Sequence, residues 1–284
     1  MEIKTVGFVG SGTMGSGIAQ ITAQAGYRAI VWGRDEAKLQ TRIVGIDKFL
    51  TKSIEKGKIT EDEKKATLSR IVITTDMKEM AKCDLVIETV AEDPELKRKF
   101  FAELDEICPE HTLFASGTSS LSIINTASVT KRIDKVLGMH FFNPVPILKL
   151  LEIIRSVATS DETINAVKDF GAAIGKTVVV SKDTPGFIPT RLGMVQALEA
   201  IRMVEAGVAT AEEIDTALKL SYAYPMGPLE LTDLVGLDVR LGVADSIYNA
   251  TKDPKYAAPV LLRSMVTAGW LGRKTGKGFY EYNK

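Results

Sequence analysis

The chain has 284 residues, 45% of them hydrophobic and 25% charged, ordinary values for a globular protein and enough for two domains. Its 36 basic residues balance 36 acidic ones, a formal net charge of +0, so neither nucleic acid nor an anionic membrane is an expected partner. The two cysteines, Cys83 and Cys108, form no metal spacing and no disulfide framework, which fits a reducing cytoplasm and a site without metal.

The N-terminus, MEIKTVGFVG, opens a strand and not a basic, then apolar, signal segment. No stretch approaches the ~18 uninterrupted apolar residues of a membrane helix. Strand-like runs then alternate with helical patterns as far as about Lys182. They are Val6–Gly10, Ala29–Trp32, Arg70–Thr75, Asp84–Val90, Thr112–Gly117, Val136–Phe142 and Thr177–Asp183. Several are apolar on both faces, which suits a parallel sheet covered by helices on each side. The predicted class is α/β: a doubly wound Rossmann-type sheet domain over residues 1–184, followed by an all-helical domain over 185–284.

The first strand runs into GFVGSGTMGSGIAQ, which contains Gly10-x-Gly12-x-x-Gly15. Between a strand and a helix this pattern predicts a dinucleotide site. Gly10 permits a tight turn, Gly12 lets a pyrophosphate approach the backbone, and Gly15 lets helix and strand pack closely. The anion would sit on the N–H groups that open the helix, so Gly10, Gly12, Thr13, Met14 and Gly15 are the cofactor-binding candidates.

The second strand ends in VWGRD, where such folds carry an acid for the ribose 2′-hydroxyl. Gly33 takes that place and removes the repulsion an acid would exert on a 2′-phosphate. Arg34 can offer bidentate hydrogen bonds to a phosphate and can stack on adenine. This places NADP ahead of NAD. The other reading makes Arg34 a surface residue and gives the acid's task to Asp35.

A lysine-rich helical hairpin, at about 47–69, precedes the third strand. Lys52 and Lys56 share one helix face at i,i+4 spacing. They fit a solvated surface or a contact with a polyanion.

Of the two histidines, His111 sits in a polar turn and reads as a surface residue. His140, in GMHFFNPVP, ends an apolar strand, where open α/β sheets gather ligands. A histidine there suits proton exchange with an alcohol near neutrality. Glu152 follows 12 residues later inside the apolar segment LKLLEIIR. A carboxylate so placed needs a partner and could orient the imidazole. Spacing alone favours a core histidine and a surface glutamate.

Pro185-Gly186 marks the domain boundary. Beyond it the patterns are helical, and Thr210 with Glu213 makes a capping box. Helices this apolar also suit packing against a twin, so a homodimer is expected.

Taken together, GSGTMGSGIAQ, DLVIETVAED, GTSSLSI, GMHFFNPVPILKLLEII, DTPGFI, PMGPLELTDLVGLDV and GRKTGKGFYEY resemble the 3-hydroxyacyl-CoA dehydrogenase family over essentially the whole chain. The likeness is strongest to its short bacterial members, the 3-hydroxybutyryl-CoA dehydrogenases. The resemblance implies hydride transfer between a nicotinamide cofactor and a short-chain 3-hydroxyacyl-CoA, in fatty-acid or butyrate metabolism. It makes His140 the acid/base, Glu152 its paired carboxylate and Ser119 the serine on the substrate oxygen. Asn143 lies beside that histidine, while Glu92 and Lys97 line the cofactor. Lys52 and Lys56 match lysines that meet the phosphates of coenzyme A, and Thr190 stands at a substrate-contacting position.

The chain departs from the family pattern in four places. Gly33 replaces an aspartate, Gly117 and Thr190 replace asparagines, and Ala223-Tyr224-Pro225 stands where NHP is common. Two other functions stay open: a dehydrogenase of a non-CoA 3-hydroxy acid, and a cofactor-binding protein whose catalysis has decayed. Retained Lys52 and Lys56 weigh against the first, and retained His140, Glu152 and Ser119 against the second.

Overall fold

The computed structural model describes residues 2–282, in two compact units that meet in sequence between Asp183 and Thr184. The first unit is built on eight strands: β1 (Thr5–Val9), β2 (Arg28–Trp32), β3 (Ile71–Thr74), β4 (Leu85–Glu88), β5 (Leu113–Ser116), β6 (Val136–Phe141), β7 (Leu150–Arg155) and β8 (Thr177–Lys182). Its helices are α1 (Thr13–Gln24), α2 (Glu36–Glu55), α3 (Glu61–Ser69), α4 (Pro94–Ile107), α5 (Ile123–Ala127) and α6 (Asp161–Ala173). The strands form one sheet in the order β3-β2-β1-β4-β5-β6-β7-β8. Strand order reverses between β1 and β4, and at such a switch point the carboxyl ends of the strands leave a crevice for a ligand. The core cluster joins β1, β2 and β4–β7 to α1 and α6, through residues such as Phe8, Ile18, Ile87, Leu151 and Phe170.

The sheet is parallel except at one joint. β7 lies inside the segment read above only as an apolar run, and it pairs antiparallel with β6. An antiparallel return needs no crossover helix, so no helical pattern marks where β7 begins.

The region read as a separate hairpin also differs. α2 runs without a break from Glu36 to Glu55, burying Leu39, Ile46 and Leu50 at a helical period, so the lysine-rich part is its second half. α3 turns back against it. Thr60 and Glu63 form a capping box at its start, and Lys64 reaches Thr51 at 2.8 Å and Asp47 at 2.8 Å on α2.

The second unit contains α7 (Pro189–Glu205), α8 (Ala211–Tyr222), α9 (Pro228–Val235), α10 (Leu237–Thr251) and α11 (Val260–Thr267). The capping box of Thr210 and Glu213 opens α8. Gly236 separates α9 from α10 with φ +103°, a backbone region that side chains disfavour. After a single 3-10 turn, Arg273–Thr275, the segment that follows Gly272 continues without α-helix. Buried Asp233 holds it by accepting from the N–H of Phe279, the N–H of Tyr280 and the hydroxyl of Tyr282, at 2.9, 2.9 and 3.0 Å. Asp215 accepts from the Tyr280 hydroxyl at 2.8 Å and from the N–H groups of Leu229 and Glu230.

Candidate active site

Gly10 follows β1, and its φ of +116° makes the tight turn. A side chain there would also strike the Thr89 carbonyl oxygen at 2.8 Å. At Gly15 a Cβ would overlap the Gly10 carbonyl, so the helix can approach the strand only with glycine at this position. Gly12 is different, because the space around its missing Cβ is open. It caps α1 without any side-chain hydrogen bond, and no acid sits in the first turn. The first-turn N–H groups and the helix dipole therefore face an open approach suited to a phosphate.

Beside this turn lies a cavity of about 310 Å3 lined by Gly10, Ser11, Gly12, Gly33, Arg34 and Lys38, among others. It sits at the carboxyl ends of β1, β2 and β4, so the residues present fit a dinucleotide. Gly33 is buried, and a Cβ there would come within 2.9 Å of Ser11 Oγ and 3.1 Å of Leu39 Cδ2. Arg34 is exposed at the cavity. Asp35 caps α2, accepting from the Lys38 N–H at 3.1 Å, while the Lys38 ammonium lies 3.8 Å from its other oxygen. One carboxylate oxygen of Asp35 is thus engaged by the helix it starts.

A buried charge network stands behind β4. Lys97 on α4 is 1% exposed, and its ammonium lies 2.8 and 3.0 Å from the two oxygens of Glu88 and 3.3 Å from Glu92. Burial pushes the Glu88 carboxyl up, opposed by the Lys97 ammonium, the Val90 N–H and the Ser116 hydroxyl. Glu92 accepts from the Thr118 hydroxyl at 2.5 Å and from the Ser119 N–H at 3.0 Å. Lys97 therefore holds Glu92, and Glu92 holds the turn that carries Ser119. At Gly117 a Cβ would lie 2.8 Å from the Glu88 carbonyl oxygen, so this backbone has no room for an asparagine there.

His140 and Glu152 come together across the antiparallel joint. They are register partners on β6 and β7, and His140 Nδ1 lies 3.0 Å from Glu152 Oε2. His140 is 6% exposed and Glu152 0%, so a deeply buried carboxylate finds its compensation in the imidazole. The Phe142 ring packs against the imidazole with centroids 4.4 Å apart. The Ser181 hydroxyl on β8 donates to the second carboxylate oxygen at 2.9 Å. This arrangement can hold one imidazole tautomer and move a proton at the other ring nitrogen.

Asn143 follows β6 in a loop that lines a cavity of about 240 Å3 together with Thr13, Arg42 and Phe49. Buried Lys176 holds that loop by donating to the carbonyl oxygens of Val145 at 2.5 Å and Leu148 at 2.6 Å. Lys52 is exposed on α2 and Lys56 is exposed at its C-cap. Thr190 lies in the second unit, in the first turn of α7 after Pro189. His111 is at the surface, 3.6 Å from Asp84. Sequence reasoning missed Glu88, Lys176 and Ser181. Only a polar residue inside an apolar run could have signalled Glu88 and Ser181. Among the described residues no group of three or more His, Cys, Asp or Glu side chains is placed for a metal, and no helix is long and apolar enough to cross a membrane.

Two family models match the chain: the NAD-binding domain of 3-hydroxyacyl-CoA dehydrogenase over residues 5–184, and the C-terminal domain of the same enzyme over residues 186–282. A probable 3-hydroxybutyryl-CoA dehydrogenase of Bacillus subtilis is 44% identical over 284 residues, covering 100% of this chain and 99% of its own. The 3-hydroxybutyryl-CoA dehydrogenase of Clostridioides difficile is 45% identical, covering 97% of this chain and 98% of its own. The crystal structure of the (S)-3-hydroxybutyryl-CoA dehydrogenase of Ralstonia eutropha superposes with a TM-score of 0.98 at 42% identity, with both chains covered at 100%.

Proposed function

The chain belongs to the 3-hydroxyacyl-CoA dehydrogenase family, and on that footing we propose that it transfers a hydride reversibly between a nicotinamide cofactor and C3 of a short-chain 3-hydroxyacyl-CoA. The buried His140–Glu152 pair is the observation that carries this reading. When bound, the nicotinamide supplies the hydride chemistry. The protein's own residues manage the proton and the geometry.

With Nδ1 held by Glu152, His140 takes the substrate hydroxyl proton at Nε2 during oxidation and returns it during reduction. Glu152 stabilises the imidazolium that forms. Ser119 places the substrate oxygen, with Thr118 and Glu92 fixing its turn. Gly10, Gly12, Thr13, Met14 and Gly15 hold the pyrophosphate. Glu92 and Asn143 lie toward the nicotinamide, and Lys97 acts through Glu92. Lys52 and Lys56 meet the phosphates of coenzyme A. Thr190 keeps a hydroxyl where relatives carry an asparagine, and a water can bridge the missing length.

NADP is favoured over NAD. Arg34 and Lys38 put two cations beside the cavity, Gly33 brings no carboxylate, and one oxygen of Asp35 is engaged as a helix cap. The enzyme works as a homodimer through the second unit, where a cavity of about 800 Å3 is flanked by Leu192 and Tyr222, 68% and 67% exposed. A cytoplasmic location fits its two buried free cysteines.

An absorbance assay with acetoacetyl-CoA and NADPH or NADH tests substrate and cofactor together. Oxidation of NADPH at a lower Michaelis constant than NADH is expected. Turnover of a free 3-oxo acid with none of the thioester would replace the substrate assignment.

A further inference from the structure

Glu152 holds His140 through one carboxylate oxygen, and the other oxygen has a second donor. Ser181 Oγ lies 2.9 Å from Glu152 Oε1. In the parallel register Glu152 stands opposite Val179, so Ser181 is the diagonal neighbour two residues farther along β8. The hydroxyl contact is set by the β7–β8 pairing, independently of the β6–β7 pairing that brings His140 to Glu152.

We propose that Ser181 is a positioning residue that sets the proton affinity of the His140–Glu152 pair and aims its carboxylate. This rests on the reading of that pair as the proton-handling group. A hydroxyl donating to a buried carboxylate stabilises its charged form. Without it the carboxylate is a stronger base toward the imidazole, and the pair binds its proton more tightly.

Among the described residues of the sheet, the charged neighbours of this group are few. β5 and β6 carry no titratable side chain besides His140, and β7 adds only Arg155, which pairs with Asp161 at 2.6 Å. On β8, Lys182 alternates to the face opposite Ser181. Asp183 just beyond accepts from the Ser122 hydroxyl at 3.0 Å and the Ile124 N–H at 2.9 Å. α5 covers the Glu152 side through Ile123, near Gly138, and has no charged residue. α6 bears Asp161, Glu162, Lys168 and Asp169, but it packs on the Leu151 and Val178 side of the sheet through Gly171.

The test uses Ser181→Ala and Ser181→Thr in the full chain. Imidazole NMR titration follows both histidines without turnover, since the chain has only 2. In Ser181→Ala the His140 titration should move to higher pH by roughly half a unit or more, while His111 stays in place. The acid limb of 3-hydroxybutyryl-CoA oxidation should move up by the same amount, with KM unchanged. Ser181→Thr, which keeps the hydroxyl, should restore both. A Ser181→Ala protein that binds cofactor normally, yet leaves the His140 titration where it was, overturns the proposal even if kcat falls. The activity assignment fails separately, if His140→Gln turns over like the parent.

Discussion

His140 and Glu152 face one another as register partners across the single antiparallel joint of the sheet, with Nδ1 3.0 Å from Oε2. The contact depends on strand pairing and not on a flexible loop, so both side chains are held before substrate arrives. Replacing His140 by glutamine should lower kcat by about 10²–10⁴-fold and leave cofactor affinity nearly intact. Stopped-flow turnover alongside cofactor titration checks this. A parent-like kcat would remove His140 from the chemistry.

Cofactor choice turns on Gly33 and Arg34. Arg34→Ala should raise KM for NADPH about tenfold and change KM for NADH little, because only the 2′-phosphate loses a charge-assisted hydrogen bond. Gly33→Asp should shift preference toward NADH. Its Cβ would crowd Ser11 Oγ at 2.9 Å, so the substitution is best paired with Ser11→Ala. If the parent already prefers NADH, Asp35 is the ribose ligand and the reading of Arg34 is wrong.

The lysines of α2 make a prediction about binding alone. Lys52→Ala with Lys56→Ala should raise KM for the acyl-CoA about tenfold or more and leave kcat nearly unchanged. The gap from the parent should narrow as salt rises, because exposed charges are screened. Steady-state kinetics at two ionic strengths decides the matter.

Lys97 and Glu88 are 1% and 0% exposed. Lys97→Met strands a buried carboxylate and should cost about 3–5 kcal/mol in urea unfolding. Burial already pushes the Glu88 carboxyl up. A protonated Glu88 has no need of the ammonium, so the deficit should shrink as pH falls. A deficit independent of pH would show that lost packing, not charge, is responsible.

Burial pushes the thiols of Cys83 and Cys108 up to about 12. Unfolded thiols ionise near ~8.5. Between those values the unfolded chain has released protons that the folded chain retains, so stability should fall as pH rises through this window. Urea midpoints from pH 8 upward test it, and Cys83→Ala should show a shallower decline. The native thiols should also react slowly with a thiol reagent, because the thiolate is the nucleophile.

Local chemistry was legible in the sequence. Glycines at 10, 12 and 15 answer to backbone geometry within a few residues, and strand–helix alternation announces a doubly wound sheet. The end of an apolar strand marked His140 for the same reason. Partnerships across the sheet needed the tertiary structure. Whether Glu152 meets His140 depends on the direction and register of β7, and a slip of one residue would turn its carboxylate to the other face. Ser181 reaches that carboxylate only because β8 pairs on the far side of β7. Lys97 belongs to Glu88 and Glu92 because α4 packs its lysine back toward the end of β4. Periodicity records which face of an element is buried, whereas packing between elements distant in sequence decides what each buried polar group meets.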